Sequence, residues 1–187
     1  MRGGRISTEA VNGGSVITLR RVWEGRSIVT LTFDFAVTLV EEPATAGRAD
    51  NEKLYFLRRG PLLFSLPIDG AYTALSYTRD GVERTFPYCD YEIRPTENWQ
   101  LGLDKTLDPG SIKIQKMNIP AHPFDENAPA ITLEVPVYPI RWGYAPGYDG
   151  VLAAEGPGSV EAIGPRETRL FQPYGATMLR MTALPLV

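Results

Sequence analysis

The feature that most constrains the fold of this chain is a hydrophobic pattern that repeats at every second residue. Apolar and polar side chains alternate in this way over residues 28–35, 131–137 and 177–183. Because successive side chains of a strand point to opposite faces, this period is typical of half-buried β-strands. No long stretch carries an apolar stripe at helical spacing. The pattern therefore predicts an all-β fold.

Glycine and proline divide the alternating segments into short pieces. The chain has 18 Gly and 16 Pro, spread along its length. Residues that tolerate a positive φ, or that fix φ, favour reverse turns between extended segments. Turns are predicted at Asn12-Gly13-Gly14, Glu24-Gly25, Asp80-Gly81 and Asp108-Pro109-Gly110.

The boundary between two β domains is expected near residue 45, because residues 41–53 are polar and lack any period. Residues 46–187 are then a C-terminal β-sandwich, jelly-roll-like in topology. Residues 1–45 are the terminal strands of a preceding, middle sandwich, and strands 15–21 and 27–40 form an N-terminal hairpin. Two irregular segments, 120–130 and 143–164, are predicted to be long loops.

Composition excludes several classes of function. Hydrophobic residues make up 43% and charged residues 22% of the chain, as in globular proteins, and the net charge of −3 gives no general attraction to nucleic acid. Cys89 is the only cysteine, so no intrachain disulfide forms. The apolar runs are shorter than the roughly 18 residues that cross a bilayer. No signal peptide is recognised at Met1, and neither nucleic acid nor membrane is an expected partner.

One segment, "LYFLRRGPLLFSLPIDG" at residues 54–70, places arginines, Gly60 and Pro61 inside an apolar run. Pro61 has no amide hydrogen and therefore cannot lie in the middle of a flat ladder. Gly60 can adopt a conformation that is unfavourable for other residues. We predict a bend at Gly60-Pro61 in one strand that turns a corner of the sandwich, with Gly60 in that conformation.

Five segments in the same order resemble the C-terminal region of β-L-arabinofuranosidase-like proteins, which are glycoside hydrolase family 127 and its relatives. The segments are "VNGGSVITLRRVWEGRSIVTLTFDF", "RRGPLLFSL", "YEIRPTENWQLGLD", "PFDENAPAITLEV" and "ETRLFQPYGATMLRMTALP". They differ from the family pattern at Arg26, at Gln100 and Leu101, and at Ala183-Leu184. Gly60, Pro61, Pro173, Tyr174 and Gly175 match its structural signature.

The resemblance implies a non-catalytic, structural role for this chain. In the family, the chemistry belongs to an (α/α) barrel, in which a cysteine nucleophile lies in a zinc site. Neither Cys89 in "FPYCDY" nor His122 in "PAHPF" matches those motifs. We therefore expect no catalytic residue, no metal and no cofactor in this chain. The expected partner is an (α/α) barrel supplied elsewhere in a parent chain.

Two alternatives remain open from the sequence. An exposed row of aromatic rings would favour a carbohydrate-binding module for arabinose-containing glycans, because sugar C–H faces stack on π surfaces. The candidate rings are Trp99, Trp142, Tyr144 and Tyr148. A pair of carboxylates across a cleft would favour an independent hydrolase. The candidate carboxylates are Asp90, Glu92, Glu97, Asp104, Asp125 and Glu126.

The N-terminal hairpin lacks the sheet against which its apolar face would pack. Burial of this face, which carries Val29, Leu31, Phe33 and Phe35, is worth about 25 cal/mol per Å². Unpaired strand edges recruit another chain. The hairpin is therefore expected either to pack on the C-terminal sandwich or to form a homodimer with a second copy.

Overall fold

The computed structural model describes residues 8–10, 12–20, 22–147 and 152–187. These residues contain antiparallel strands and short 3-10 turns, and none of them lies in an α-helix. The all-β prediction is confirmed, whereas the sandwich and its jelly-roll topology stay predictions. No helix in the described part of the chain is long and apolar enough to cross a membrane.

The chain divides into two compact units, residues 1–34 and residues 35–187. The expected boundary near residue 45 therefore differs from the observed division. The division lies before residue 37 because residues 37–41 form a strand that pairs with residues 55–59. This pairing places residues 37–41 in the second unit. The origin of residues 1–45 in a preceding sandwich stays a prediction.

The first unit contains the two predicted turns but none of the predicted strands among its described residues. Ser15 N donates to Asn12 O at 3.3 Å, and Gly14 and Gly25 have φ of +80° and +63°. Of the expected hairpin strands 15–21 and 27–40, a strand forms only from Val37 onwards. The prediction of this hairpin is wrong for the described residues, because an alternating pattern makes a strand only where a neighbouring strand accepts its backbone hydrogen bonds. The proposed homodimer through this region stays a prediction.

The described residues of the second unit contain twelve short strands. They are β1 (Val37–Glu41), β2 (Tyr55–Arg59), β3 (Leu62–Pro67), β4 (Gly70–Leu75), β5 (Tyr77–Arg79), β6 (Val82–Arg84), β7 (Asp90–Pro95), β8 (Leu101–Leu103), β9 (Lys113–Lys116), β10 (Ile131–Pro139), β11 (Glu167–Pro173) and β12 (Arg180–Met181). The 3-10 turns are Pro43–Thr45, Asp50–Glu52, Pro109–Ser111 and Tyr174–Ala176.

The main sheet has eight strands in the order β1-β2-β3-β11-β10-β8, with β12 paired to β3 and β9 paired to β10. Strand β10 is nine residues long and has β11 on one edge and both β8 and β9 on the other. Two further ribbons, β4-β7 and β5-β6, are separate from this sheet. The predicted loops 120–130 and 143–164 contain no strand among their described residues, apart from an isolated bridge between Tyr144 and Ala153.

The core follows the alternation that the sequence predicts for residues 131–137, except at Thr132, which is also buried. Leu133, Val135 and Val137 are fully buried, whereas Glu134 and Pro136 between them are half-buried. Phe64 of β3 and Phe171 of β11 are buried in the same cluster. The inward face of β10 therefore forms the centre of the core.

The Gly60-Pro61 pair forms a hairpin turn and not a corner within one strand. Arg59 pairs with Leu62, so Gly60 and Pro61 are the two loop residues between antiparallel strands β2 and β3. Gly60 has φ of +55°, which confirms the predicted conformation. The predicted corner is wrong because a positive φ at the first loop residue of a two-residue hairpin reverses the chain.

Residues 184–187 complete the sheet from the end of the sequence. Leu184 exchanges two backbone hydrogen bonds with Tyr55, at 2.8 and 2.9 Å. Leu103 N donates to Pro185 O at 2.8 Å, and Val187 N donates to Leu103 O at 2.9 Å. This segment therefore connects β2 with β8, and Leu184 is fully buried.

Candidate functional site

The pairing of β8 with β10 brings together three of the four candidate sugar-binding rings. Trp99 precedes β8 and Trp142 follows β10, and the two strands pair through Leu101 and Pro139. The ring centroids of Trp99 and Trp142 lie 5.9 Å apart with planes tilted by 52°. Tyr144 lies 5.3 Å from Trp99 at a tilt of 49°. These tilted contacts are typical of packed aromatic clusters.

Hydrogen bonds and burial fix the orientation of these rings. Trp99 Nε1 donates to the Tyr144 hydroxyl at 3.1 Å, and Trp142 Nε1 donates to Ala154 O at 3.0 Å. The two tryptophans are 6% and 3% exposed. Trp99, Trp142 and Tyr144 therefore do not form the exposed flat row that stacking on a glycan requires. Tyr148 lies outside the described residues.

A surface cleft of about 480 Å³ lies beside the indole of Trp142. Ile140 and Ile163 supply apolar walls, and Gln100, Arg141 and Ser159 supply polar groups. The side chain of Gln100 donates to the carbonyl of Trp142, which fixes its amide at the cleft. The volume lies within the range of about 300–1,000 Å³ that small ligands occupy. The cleft combines apolar walls with several polar groups and has the size of a small-ligand site.

A second, polar groove of about 290 Å³ lies beside the buried carboxylate of Asp104. Its lining includes Arg166, Lys113 and Glu134. Asp104 Oδ1 accepts from both N and Oγ1 of Thr106, at 2.8 and 2.7 Å, and Oδ2 accepts from Arg166 Nε at 2.8 Å. The hydrogen bonds from Thr106, and then the Arg166 guanidinium, hold the pKa of Asp104 below its ordinary value. Both oxygens of this carboxylate are therefore occupied by fixed donors.

Glu134 lines the same groove and is also held by neighbours. It forms an ion pair with Lys113 at 2.7 Å and accepts a hydrogen bond from the side chain of Gln115. These hydrogen bonds, with that from Lys113 the largest, lower the pKa of Glu134. A general acid for glycoside cleavage needs a raised pKa. The direction of both shifts is thus opposite to the one that such a role requires.

Two other candidate carboxylates are paired with arginines. Glu97 Oε2 lies 2.8 Å from Arg169 Nη1, and Glu97 Oε1 accepts from Asp69 N at 3.0 Å. Glu92 forms an ion pair with Arg94 on the same strand. Sequence reasoning did not identify Arg166 or Arg169, because each lies far along the chain from its carboxylate and no local motif marks it.

The signature residues near the end of the chain lie at a turn. Pro173 is the last residue of β11 and lies opposite Phe64 of β3. Tyr174 follows it, and the guanidinium carbon of Arg180 lies 3.7 Å from the centre of its ring. A cation over an aromatic face contributes attraction beyond simple packing. Tyr174 and Arg180 therefore fix the path of the chain between β11 and β12.

Cys89 is half-buried beside Tyr91. Burial raises the pKa of the Tyr91 hydroxyl, with a smaller contribution from Cys89. Within the described ranges, no three His, Cys, Asp or Glu side chains are grouped so as to hold a metal ion.

Comparisons with models of known protein families, with curated proteins and with solved structures find no match for this chain.

Proposed function

We propose that this chain is a non-catalytic, structural β module of a glycoside hydrolase of the β-L-arabinofuranosidase-like type. In this proposal it packs beside an (α/α) barrel that carries the cysteine and zinc chemistry. The proposal rests on the resemblance of five sequence segments, and one structural observation supports it. Several of the residues that carry the resemblance lie at structural positions of the fold.

That observation applies to three signature residues and to Trp99 of the third segment. Gly60 and Pro61 form the turn between β2 and β3. Trp99 is buried against Trp142 and Tyr144. Pro173 ends a strand of the main sheet beside Phe64. A segment whose characteristic residues maintain the fold is typical of an accessory domain, since catalytic or binding residues would lie on an open surface.

Enzyme assays and binding to a barrel test this proposal. The purified chain should not hydrolyse 4-nitrophenyl α- or β-L-arabinofuranoside, with or without zinc and reductant. Size-exclusion chromatography should detect a complex with the isolated barrel of a β-L-arabinofuranosidase-like protein, and none with an unrelated (α/α) barrel. Turnover that survives repurification and disappears in Glu97→Gln or Glu134→Gln would contradict the non-catalytic role. Failure to bind the barrel, together with a neighbouring upstream reading frame that encodes no barrel, would contradict the accessory role.

A second candidate function is glycan binding, and the cleft beside Trp142 is the observation that favours it. Affinity electrophoresis in gels that contain arabinan would detect binding as retarded migration. The Arg141→Ala variant should then migrate without retardation, whereas Arg79→Ala, which is remote in sequence and exposed, should behave as the wild type. Equal migration of the wild type with and without arabinan would contradict this function.

A further inference from the structure

Residues 70–95 form two short two-stranded ribbons, β4-β7 and β5-β6, that are separate from the main sheet. β4 and β7 pair along their whole length, from Gly70 opposite Pro95 to Leu75 opposite Asp90. β5 and β6 form the second ribbon, and a tight turn at Asp80-Gly81, where φ is 54° and 74°, joins them. A two-stranded hairpin is marginally stable in water by itself, and three or more strands with an apolar face are needed for independent stability. The β4-β7 ribbon therefore has fewer strands than independent stability requires.

One face of the ribbon is apolar and the other is charged. Paired residues of antiparallel strands share a face, so Tyr72 lies beside Ile93 and Ala74 beside Tyr91. The opposite face carries Arg94, Glu92 and Asp90. Tyr72 is 46% exposed and Tyr91 is 37% exposed. Such an apolar face on an exposed ribbon is typical of a protein interaction surface.

The two edges of the ribbon differ in composition. β7 carries Asp90, Glu92, Arg94 and Pro95, and charges and proline are the residues by which natural sheets prevent pairing at an edge. β4, with the sequence GAYTAL, has six residues with neither charge nor proline. In the part of the chain that the structure describes, β7 is the one strand that pairs with β4. The outer edge of β4 is thus unprotected from Gly70 onwards, whereas two residues earlier, on the same edge, Ile68 N donates to Leu179 O at 3.0 Å.

The hydrogen-bond alternation identifies the groups that β4 presents outward. Thr96 N donates to Asp69 O at 2.8 Å, so this pair just before β4 is a hydrogen-bonded one. Hydrogen-bonded and non-hydrogen-bonded pairs alternate along antiparallel strands, so the backbone groups of Gly70, Tyr72 and Ala74 point away from β7. Pro95, which has no amide hydrogen, lies opposite Gly70, as this assignment requires.

We propose that two copies of this chain associate by antiparallel pairing of β4 with β4 across a two-fold axis. Tyr72 then lies opposite Tyr72 of the second copy, and Gly70 lies opposite Ala74. All three outward-facing residues of each strand find a partner in this register, and no like charges meet. The product is a four-stranded sheet in the order β7-β4-β4-β7, whose apolar face combines Tyr72, Tyr91 and Ile93 of both copies.

The composition of β4 favours a second copy over a different protein. A two-fold interface requires the same surface to be complementary to itself. A charged strand would place like charges close together across the axis, whereas GAYTAL has none to repel. Ala74 is small and leaves room beside Tyr72 on the apolar face, whereas the space above Gly70 is filled by Ile93 and Leu179.

Disulfide trapping tests the register. Because Cys89 is the only cysteine, Cys89→Ser gives a cysteine-free background. In that background Tyr72→Cys should form a disulfide-linked dimer under mild oxidation, because opposite Cα atoms of a hydrogen-bonded pair lie about 5.5 Å apart. The matched control is Thr73→Cys, which lies opposite Ala71 and should cross-link several-fold less. Equal yields from the two variants, or none from either, would overturn the proposal.

Light scattering coupled to size-exclusion chromatography tests the association itself. The wild-type chain should elute as a dimer whose fraction rises with concentration. Ala74→Pro removes a backbone amide that points away from β7, and it removes no hydrogen bond between β4 and β7. It should therefore weaken the dimer at least tenfold. The circular dichroism spectrum of the variant should match that of the wild type. If that variant does not fold, Ala74→Lys should give the same weakening through edge charge. A monomer at every concentration, or a dimer that Phe33→Asp dissociates and neither β4 variant affects, would overturn the proposal.

Discussion

The ring of Phe35 lies directly over the α-carbon of Gly60. A Cβ atom built at residue 60 would be 2.6 Å from Phe35 Cγ, and the φ of +55° is one that L-residues rarely adopt. Two independent constraints therefore require glycine at this turn. One is the backbone conformation and the other is the contact with a neighbouring ring.

The Gly60→Val variant should lose about 2–5 kcal/mol of unfolding free energy, from backbone strain and from overpacking against Phe35. In a Phe35→Ala background the same change should cost only about 1–3 kcal/mol, because the strain remains and the clash is removed. Urea unfolding of the four proteins of this double-mutant cycle measures the difference. Gly143→Val, at a glycine with open space around it and no positive φ, is the control. A neutral Gly60→Val would show that the turn tolerates a side chain.

Asp104 should make the stability of the fold depend on pH in the acid range. Its pKa in the folded state is lowered, chiefly by Thr106. The stabilisation is therefore complete above the unfolded pKa of about 3.9 and is lost as pH falls through the lower, folded pKa. Asp104→Asn should cost about 1–3 kcal/mol at pH 7 and should flatten the loss of stability in acid.

Chemical unfolding of the wild type and Asp104→Asn over the acid range measures this effect. Glu161→Gln, at an exposed carboxylate, is the matched control and should leave both the stability and its acid dependence close to those of the wild type. If Asp104→Asn and the wild type lose stability in parallel as the pH falls, then Asp104 does not contribute to the acid dependence.

The aromatic cluster should be a major source of stability. Trp142→Ala should cost about 3–5 kcal/mol, because it leaves a cavity beside Trp99. Trp142→Phe should cost less, about 1–2 kcal/mol, much of it from the lost hydrogen bond to Ala154 O. Tyr88→Ala, at a ring that is 81% exposed, should change stability by about 0.5 kcal/mol or less. Thermal unfolding monitored by tryptophan fluorescence ranks the variants, and a small effect of Trp142→Ala would place this indole on the surface.

Arg169 should connect β11 to the segment before β8. Its Nη1 forms an ion pair with Glu97, and its Nη2 donates to Asn98 O at 3.3 Å. The planar guanidinium group makes both contacts at the same time, which the single ammonium of lysine does less well. Arg169→Lys should therefore recover only part of the roughly 1–3 kcal/mol that Arg169→Ala loses. Full recovery of the unfolding free energy by lysine would indicate that charge alone matters at this site.

Sequence reasoning succeeded where local chemistry decides the conformation. The turns at Asn12-Gly13-Gly14 and Asp80-Gly81, and the positive φ of Gly60, follow from the backbone freedom of glycine and asparagine or aspartate. The buried alternation of residues 131–137 follows from the period of a strand. In each case the cause lies within a few residues of the effect.

It failed where the outcome depends on distant partners. The alternating residues 28–35 carry the same local pattern as β10, yet they form no strand, because no strand in the described part of the chain pairs with them. The environment of Asp104 depends on Arg166, which is 62 positions away. The environment of Tyr144 depends on Trp99, whose ring lies 5.3 Å away although the two residues are 45 positions apart in the sequence.

The position of residues 184–187 between β2 and β8 has a consequence for folding during synthesis. Tyr55 leaves the ribosome well before Leu184, by on the order of 10 s at the usual rates of elongation. Throughout that interval β2 lacks one of its hydrogen-bonding partners, and the core lacks a fully buried leucine. During this interval the nascent chain contains an incomplete sheet with unpaired edges. In this state β-proteins are prone to aggregate and to bind chaperones.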